Sequence, residues 1–436
     1  MNLVFLIVSL LSLEIGVLDA FPFGTITDTT PKVQEDVQDL VRRSLEKRLL
    51  VDFDRTPVDV FGDHAFRAPD FDAGDQRGPC PGLNALANHG YIGRDGVTTV
   101  IEATSAINKV YGMGIDLAGI LALLATVFVG DIVSLNPSFS IGGETKKVQN
   151  ILGNALGLLG TPRGLEGSHN IIESDSSNTR NDLYVTGDVS TLQMDQFMEW
   201  YNMSTDPVGN YSMDLASERA MIRFEQTVAE NPYFYYGPYT GMLARNAGFI
   251  FAGRLFANYS PEYPEGLLTK KIVKSFFGIS GDEGNFTYNY GWERIPQNWY
   301  RIPADYGLVG LNLDVISFVL KYPQLGSVGG NTGTVNSFTG LDLGNITGGV
   351  YNTGTLLENN NLICFAFEVV KLLSPNSLST LFSVIEVPLK MVTDTLGSTL
   401  LNLSCPELNE LTAGGGDFLD GLKEMFPGVK KSGWAF

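Results

Sequence analysis

Apolar residues recur at helical spacing along most of the chain. Segments 97–111, 213–230, 239–258, 267–277, 311–322 and 362–373 each place hydrophobic side chains three and four positions apart, the pattern of an amphipathic helix. The run 116–135 is different. From Leu117 to Val129 it is almost unbroken hydrophobic, so a helix there has no polar face and belongs in a core. It is too short to span a bilayer, and Asp116 and Asp131 sit near its ends. Segments 148–159 and much of 378–401 also read as helices. Strand alternation is scarce. The stretch 326–354, rich in Gly, Asn and Thr, predicts a long loop carrying short strands. No internal repeat and no linker divides the chain. The pattern predicts one mostly α-helical domain over 49–410 with few short strands, then a Gly-rich tail over 411–436.

The N-terminus adds a second kind of signal. An apolar run from Leu3 to Leu18 ends at Asp19-Ala20, which reads as a secretory signal peptide over residues 1–20. A short membrane anchor is the alternative, disfavoured because polar sequence follows so soon. Segment 33–48 is amphipathic and ends in Lys47-Arg48. That pair either marks removal of a propeptide over 21–48 or is a solvated helix end. Sequons at Asn202, Asn210, Asn258, Asn285, Asn345 and Asn402 agree with secretion, whereas Pro137 disqualifies Asn136. The expected location is extracellular, with no membrane attachment after cleavage.

Composition narrows the partners. The chain has 436 residues, 44% hydrophobic and 18% charged, enough to bury a large core without disulfides. A net charge of −19 repels phosphate backbones, so nucleic acid is excluded as a partner. The cysteines are Cys80, Cys364 and Cys405, an odd number that leaves one thiol unpaired. Joining Cys364 to Cys405 closes a loop of about forty residues, worth roughly 4 kcal/mol of chain entropy. A bridge that uses Cys80 instead stays open on spacing alone.

Cys80 lies in RGPCPGLNALANHGYI, between Pro79 and Pro81. A nucleophilic role would pair it with His89 or His169, but the flanking prolines stiffen the loop and remove N–H groups. No C-x-x-C pair supports a structural zinc site. GMGIDLAG lacks the strand and third glycine of a dinucleotide loop, and ESDSSNTRND lacks the turn glycine and final glutamate of a calcium loop. Ligation of haem iron by one thiolate needs no partner cysteine. Prolines fix such a loop, and Gly82 lets the backbone run close to a flat group. The N–H groups of Gly82, Leu83 and Asn84 can then stabilise the sulfur, helped by the dipole of a helix over 83–89.

GPCPGLNALANHGYIGRDG, residues 78–96, closely resembles the proximal motif of the fungal haem-thiolate peroxidases, the family of chloroperoxidase and the aromatic peroxygenases. SHNIIESDSSNTRNDLY, residues 168–184, resembles the family's cation-binding element. LNPSFSIGG and ENPYF are also similar to family sequence, and the Cys364–Cys405 separation resembles a C-terminal disulfide of its long members. The resemblance runs roughly over 52–406. It implies a helical haem-peroxidase domain of the chloroperoxidase type. Haem b would be held by Cys80, and Mg2+ or Mn2+ by the Glu173 carboxylate, the Ser174 carbonyl and the Ser177 hydroxyl. A hard divalent cation suits those oxygens.

The pattern breaks on the distal side. The family uses a glutamate assisted by Arg or His; an ungapped match puts Ala247 and Thr240 at those places. Arg245 and Asn246 are the nearest polar candidates, the alternative being a helix end facing solvent or the propionates. Glu225 lies one helix too early. Ile172, Ile250 and Phe251 suggest a greasy haem pocket suited to a lipid, terpene or aromatic polyketide. The leading expectation is a secreted peroxidase or peroxygenase that uses hydrogen peroxide to oxidise or oxygenate an apolar small molecule. A haem-dependent secondary-metabolite enzyme with altered distal chemistry is the alternative, followed by a non-enzymatic haem- or ligand-binding glycoprotein.

Overall fold

The computed structural model describes residues 56–131, 136–148, 162–382, 394–395, 397–400, 402–413 and 416–436. The leader at 1–20, the 21–48 segment with Lys47-Arg48, nearly all of the expected helix 148–159 and the middle of 378–401 lie outside them. Helices of six or more residues run α1 Pro81–Asn88, α2 Val100–Tyr111, α3 Ile115–Val129, α4 Met194–Met203, α5 Met213–Glu230, α6 Asn246–Leu255, α7 Lys270–Phe276, α8 Leu308–Lys321, α9 Asn361–Phe382, α10 Phe418–Met425 and α11 Pro427–Ser432. Strands are two or three residues long. β1 Val97–Thr99 pairs antiparallel with β2 Ser138–Ser140. A second small sheet joins β3 Tyr235–Tyr236, β4 Gly329–Gly330 and β5 Thr339–Gly340. The mostly helical architecture with few strands is the one the periodicity predicts.

Helix α3 explains the layout. Ten of its residues are buried, so it needs apolar neighbours on every side. It packs along α2, and α5, α6, α8 and α9 pack in series beyond. No helix among the described residues is long and apolar enough to cross a membrane. Local signals set the boundaries. The Thr99 hydroxyl accepts from the Glu102 N–H to start α2, and Gly112, at φ 71°, ends it in the left-handed conformation. Ser212 and Thr269 cap α5 and α7 in the same way.

Three expectations need correction. The helix expected over 116–135 stops at Val129, because Gly130 takes an extended conformation where a Cβ would strike the Ser138 carbonyl and Phe139. The helix expected over 239–258 begins as a π-helical segment, Thr240–Arg245, before becoming α6. The segment expected to be a Gly-rich tail instead carries α10 and α11 and buries Phe418, Leu422, Phe426, Val429, Ala435 and Phe436 against the rest of the protein. A disulfide joins Cys364 to Cys405, with their Cα atoms 5.5 Å apart, leaving Cys80 as the free thiol.

Candidate active site

Cys80 is the residue immediately before α1, in extended conformation, and Pro81 opens the helix at the position where a missing N–H costs nothing. The N–H groups of Gly82 and Leu83 point at the sulfur. The Asn84 N–H does not, because it donates to the Cys80 carbonyl as an ordinary first-turn helix bond (3.1 Å). Burial pushes the Cys80 thiol pKa up, opposed by those two N–H donors and by the positive charge of Arg180. The loop is braced from both sides. The Asn84 amide brackets Gly78, accepting its N–H at 3.0 Å and donating to its carbonyl at 2.9 Å. Asn84 also donates to Glu293 Oε1 at 3.0 Å, and the Tyr111 hydroxyl donates to the Gly82 carbonyl at 2.8 Å. Gly78 must be glycine, since a Cβ there would collide with the Ile141 carbonyl oxygen.

Cys80 borders a cavity of about 340 Å³. Its walls are mostly aliphatic and aromatic, drawn from α2, α3, α6, α8 and α9. On α6 the cavity face includes Ala247, Gly248, Phe251, Ala252 and Leu255, spaced three and four apart, and Ala244 of the π-helical segment continues it. A Cβ on Gly248 would meet nothing within 4 Å, so this wall is left flat and open. A polar strip from the loop between β2 and α4 faces it with Glu173, Ser174, Ser177 and Arg180. Among the described residues Glu173 is the only carboxylate bordering the cavity.

Most of the residues singled out from sequence meet here. Cys80, Ile172, Glu173, Ser174, Ser177, Arg245 and Phe251 all border the cavity. Ile250 and Asn246 do not. Helical spacing turns both away from the cavity face of α6, and Ile250 packs in the core. The Asn246 amide donates to the carbonyls of Met242 and Leu325. Arg245 is buried, and its guanidinium donates to the Ser176 carbonyl and hydroxyl, the Ala220 carbonyl and the Asn246 side chain. Both residues therefore spend hydrogen bonds on neighbouring carbonyls; Arg245 still borders the cavity, and Asn246 does not. The alternative of a helix end facing solvent does not hold.

The expected cation ligands are tied into a buried polar network. Glu173 Oε2 lies 2.8 Å from His169 Nδ1. Burial would lower the His169 pKa, but Asp175 and Glu173 outweigh it and raise it to about 9. The Ser174 hydroxyl donates to the Thr240 carbonyl (3.0 Å), and the Ser177 hydroxyl to the Arg180 carbonyl (3.3 Å). Among the described residues no three His, Cys, Asp or Glu side chains cluster as a metal site. Any cation here would depend on Glu173, neutral oxygens and groups from outside the chain. His89 is committed elsewhere, to the His64 carbonyl and the Ile295 N–H.

A free, rigidly held sulfur with two N–H donors, at the edge of an apolar cavity with one flat helical wall, fits a thiolate-ligated macrocycle. Residues 64–304 match the family model described as "Peroxidase, family 2". The chain belongs to the fungal haem-thiolate peroxidase family. It is thus a peroxidase, an oxidoreductase. It is 58% identical to the aromatic peroxidase fscJ of Fusarium equiseti over 402 residues, 92% of each chain. It is 41% identical to the dothistromin biosynthesis peroxidase dotB of Dothistroma septosporum over 368 residues, 84% of this chain and 86% of that one. An aromatic peroxygenase of Coprinellus radians is 37% identical over 163 residues, 37% of this chain and 59% of that one. The motifs around Cys80 and Glu173 both lie within the span matched to the family.

Sequence reading missed Arg180, Glu293 and the Asn84 side chain in this peroxidase. Arg180 stands in the same polar stretch as Glu173 and could have been flagged by that proximity. Glu293 carries no local signal, since 209 positions separate it from the asparagine it holds.

Proposed function

We propose that this peroxidase uses hydrogen peroxide to oxidise or oxygenate an apolar, aromatic small molecule held in the cavity beside Cys80. The observation that carries this is the free Cys80 thiol bordering an apolar cavity, with the Gly82 and Leu83 N–H groups on its sulfur. In this reading Cys80 is the axial ligand of haem b. Glu173, Ser174 and Ser177 hold Mg2+ or Mn2+. Haem, when bound, supplies the iron chemistry that peroxide drives. The protein fixes the sulfur, stabilises its negative charge and excludes water from the substrate with Ile172, Phe251 and the α6 face. The chain is exported by its leader, and Lys47-Arg48 is a candidate cleavage point.

A second, narrower reading assigns the substrate to secondary metabolism, and a specific feature favours it. The cavity face of α6 offers Ala247, Gly248, Phe251 and Ala252, and no carboxylate. A general acid–base typically contributes on the order of 10²–10⁴-fold to a proton-coupled step. An enzyme lacking one on this wall suits a slow, selective conversion of one bound aromatic compound. The name of the dotB relative points the same way. The test has two stages. A carbon monoxide difference spectrum of the reduced protein should carry the red-shifted Soret band of a thiolate-ligated haem, and Cys80→Ala should abolish it. Peroxide-dependent turnover of simple and polycyclic aromatics then separates a general peroxygenase from a dedicated biosynthetic enzyme. A protein that takes up no haem when haem is supplied would sink both readings.

A further inference from the structure

Behind the cysteine loop lie two buried charges that the reading above leaves without a task. Arg180 forms part of the cavity wall. Its guanidinium donates to the Ser190 carbonyl (3.3 Å), to Thr179 Oγ1 (3.0 Å) and, at 3.4 Å, to Glu293 Oε1. Glu293 is fully buried (0% exposed). Its Oε1 also accepts from the Asn84 amide, and its Oε2 has no hydrogen-bond partner. A buried carboxylate with an orphaned oxygen is an expensive group. Packing would be served as well by a neutral side chain, and glutamine alone could accept from Asn84. What glutamine could not do is balance Arg180.

Position gives that balance a target. Asn84, which Glu293 holds, brackets Gly78, two residues before Cys80. The backbone around Glu293 is held by the same helix, because the Asn88 amide donates to the carbonyls of Gly291 and Glu293 at 2.7 Å each. Arg180 approaches from the cavity side and Glu293 from behind. Both fields reach the sulfur, Arg180 favouring the thiolate and Glu293 opposing it. Both side chains are buried, so their charges are only weakly screened.

We propose that Glu293 is a positioning residue for the Cys80 thiolate: through Asn84 it fixes the cysteine loop, and by neutralising Arg180 it preserves the electron-donating strength of the sulfur. The proposal rests on Cys80 being the haem ligand. It follows that net charge behind the sulfur sets the ferric/ferrous midpoint potential. Removing the negative charge leaves Arg180 unbalanced and favours the reduced state. Removing the positive charge does the opposite.

The experiment is spectroelectrochemical titration of the haem-loaded full chain and three variants. Glu293→Gln keeps an acceptor for Asn84 but removes the charge. It should raise the potential, changing the reduced-to-oxidised ratio at fixed potential about tenfold, which is about 59 mV for one electron. Arg180→Gln should lower it, and this variant keeps the proposal testable even if Glu293→Gln folds poorly. The double variant, neutral at both positions, should return close to wild type. A purely structural role would not produce opposite shifts that cancel. Unchanged potentials, or single-variant shifts of the same sign, would overturn the proposal while leaving Cys80 as ligand. Absence of the thiolate-type carbon monoxide band in the wild type would overturn the ligand assignment and this proposal with it.

Discussion

His89 is held neutral by its neighbours. Its Nδ1 donates to the His64 carbonyl at 2.7 Å and its Nε2 accepts the Ile295 N–H at 3.2 Å. A proton added to Nε2 would face another donor. Burial, more than the neighbouring Arg294 and Arg94, lowers the His89 pKa to about 4. Between that value and the unfolded value near 6.5, the unfolded chain binds a proton that the native protein refuses. Stability is therefore complete above pH 6.5 and falls as pH drops toward 4, by up to about 3 kcal/mol at 1.36 kcal/mol per unit. Thermal melts from pH 7.5 to 4 should show this, and His89→Gln should start lower yet lose less over the same interval. A different residue decides glycosylation. Asn202, Asn210, Asn285, Asn345 and Asn402 are exposed, but Asn258 is half-buried and its side-chain oxygen accepts the Tyr300 N–H. Peptide mapping of exported protein should find glycan at exposed sequons and none at Asn258.

At the scale of elements, α6 governs the chemistry. Its register was legible only in part: the sequence reading put both Phe251 and Ile250 in the pocket, but helical spacing places Phe251 on the cavity with Ala247 and turns Ile250 into the core. The hydrogen-bond partners of Arg245 and Asn246 were not legible, because periodicity says which face a residue occupies and nothing about which carbonyls lie opposite it. The carbonyls of Ser176, Ala220 and Leu325 decide that, and they come from distant parts of the chain. The π-helical segment Thr240–Arg245 ahead of α6 was equally invisible, because it is an extra turn geometry and not a change in hydrophobic pattern. That Cys80, Glu173, Ser174 and Ser177 belong together was legible because each motif is contiguous in sequence, and all four border one cavity. Their supports were not legible, because they are long-range hydrogen bonds. The α6 geometry gives a gain-of-function test. Ala247 borders the cavity where the family pattern places glutamate. Ala247→Glu should speed peroxide consumption by the haem-loaded enzyme at least tenfold, a modest part of the 10²–10⁴ ascribed to an acid–base. Stopped-flow peroxide decay measures it, and an unchanged rate would mean that peroxide is handled elsewhere in the cavity.

At the scale of the whole molecule, the C-terminal region is bound to the site by two different devices. One is the disulfide from α9 to Cys405, closing 41 residues and worth about 4 kcal/mol on the loop-entropy scale. Replacing both cysteines by alanine should lower the melting temperature and leave the carbon monoxide band in place, since neither residue borders the cavity. The other device is the chain's last described residue. Phe436 is buried against Phe128 of α3, with ring centroids 5.0 Å apart. Its N–H donates to the Asn170 carbonyl, beside the Glu173 loop, and its carbonyl accepts from Thr240 Oγ1 at 2.6 Å, at the start of the π-helical segment. Gly237 has no side chain there because a Cβ would strike the Phe436 carbonyl oxygen. One residue thus ties together the core helix, the polar strip and the helix that walls the cavity. Phe436→Ala leaves its backbone bonds available but removes the ring, and Phe→Ala in a core costs about 3–5 kcal/mol. The loss should exceed that of the conservative Phe436→Leu severalfold in chemical denaturation. If the brace matters to the site as well as to the fold, Phe436→Ala should also speed dissociation of haem at temperatures far below its melting point. Haem transfer to excess apomyoglobin reads that rate directly, and an unchanged rate would confine Phe436 to stability alone.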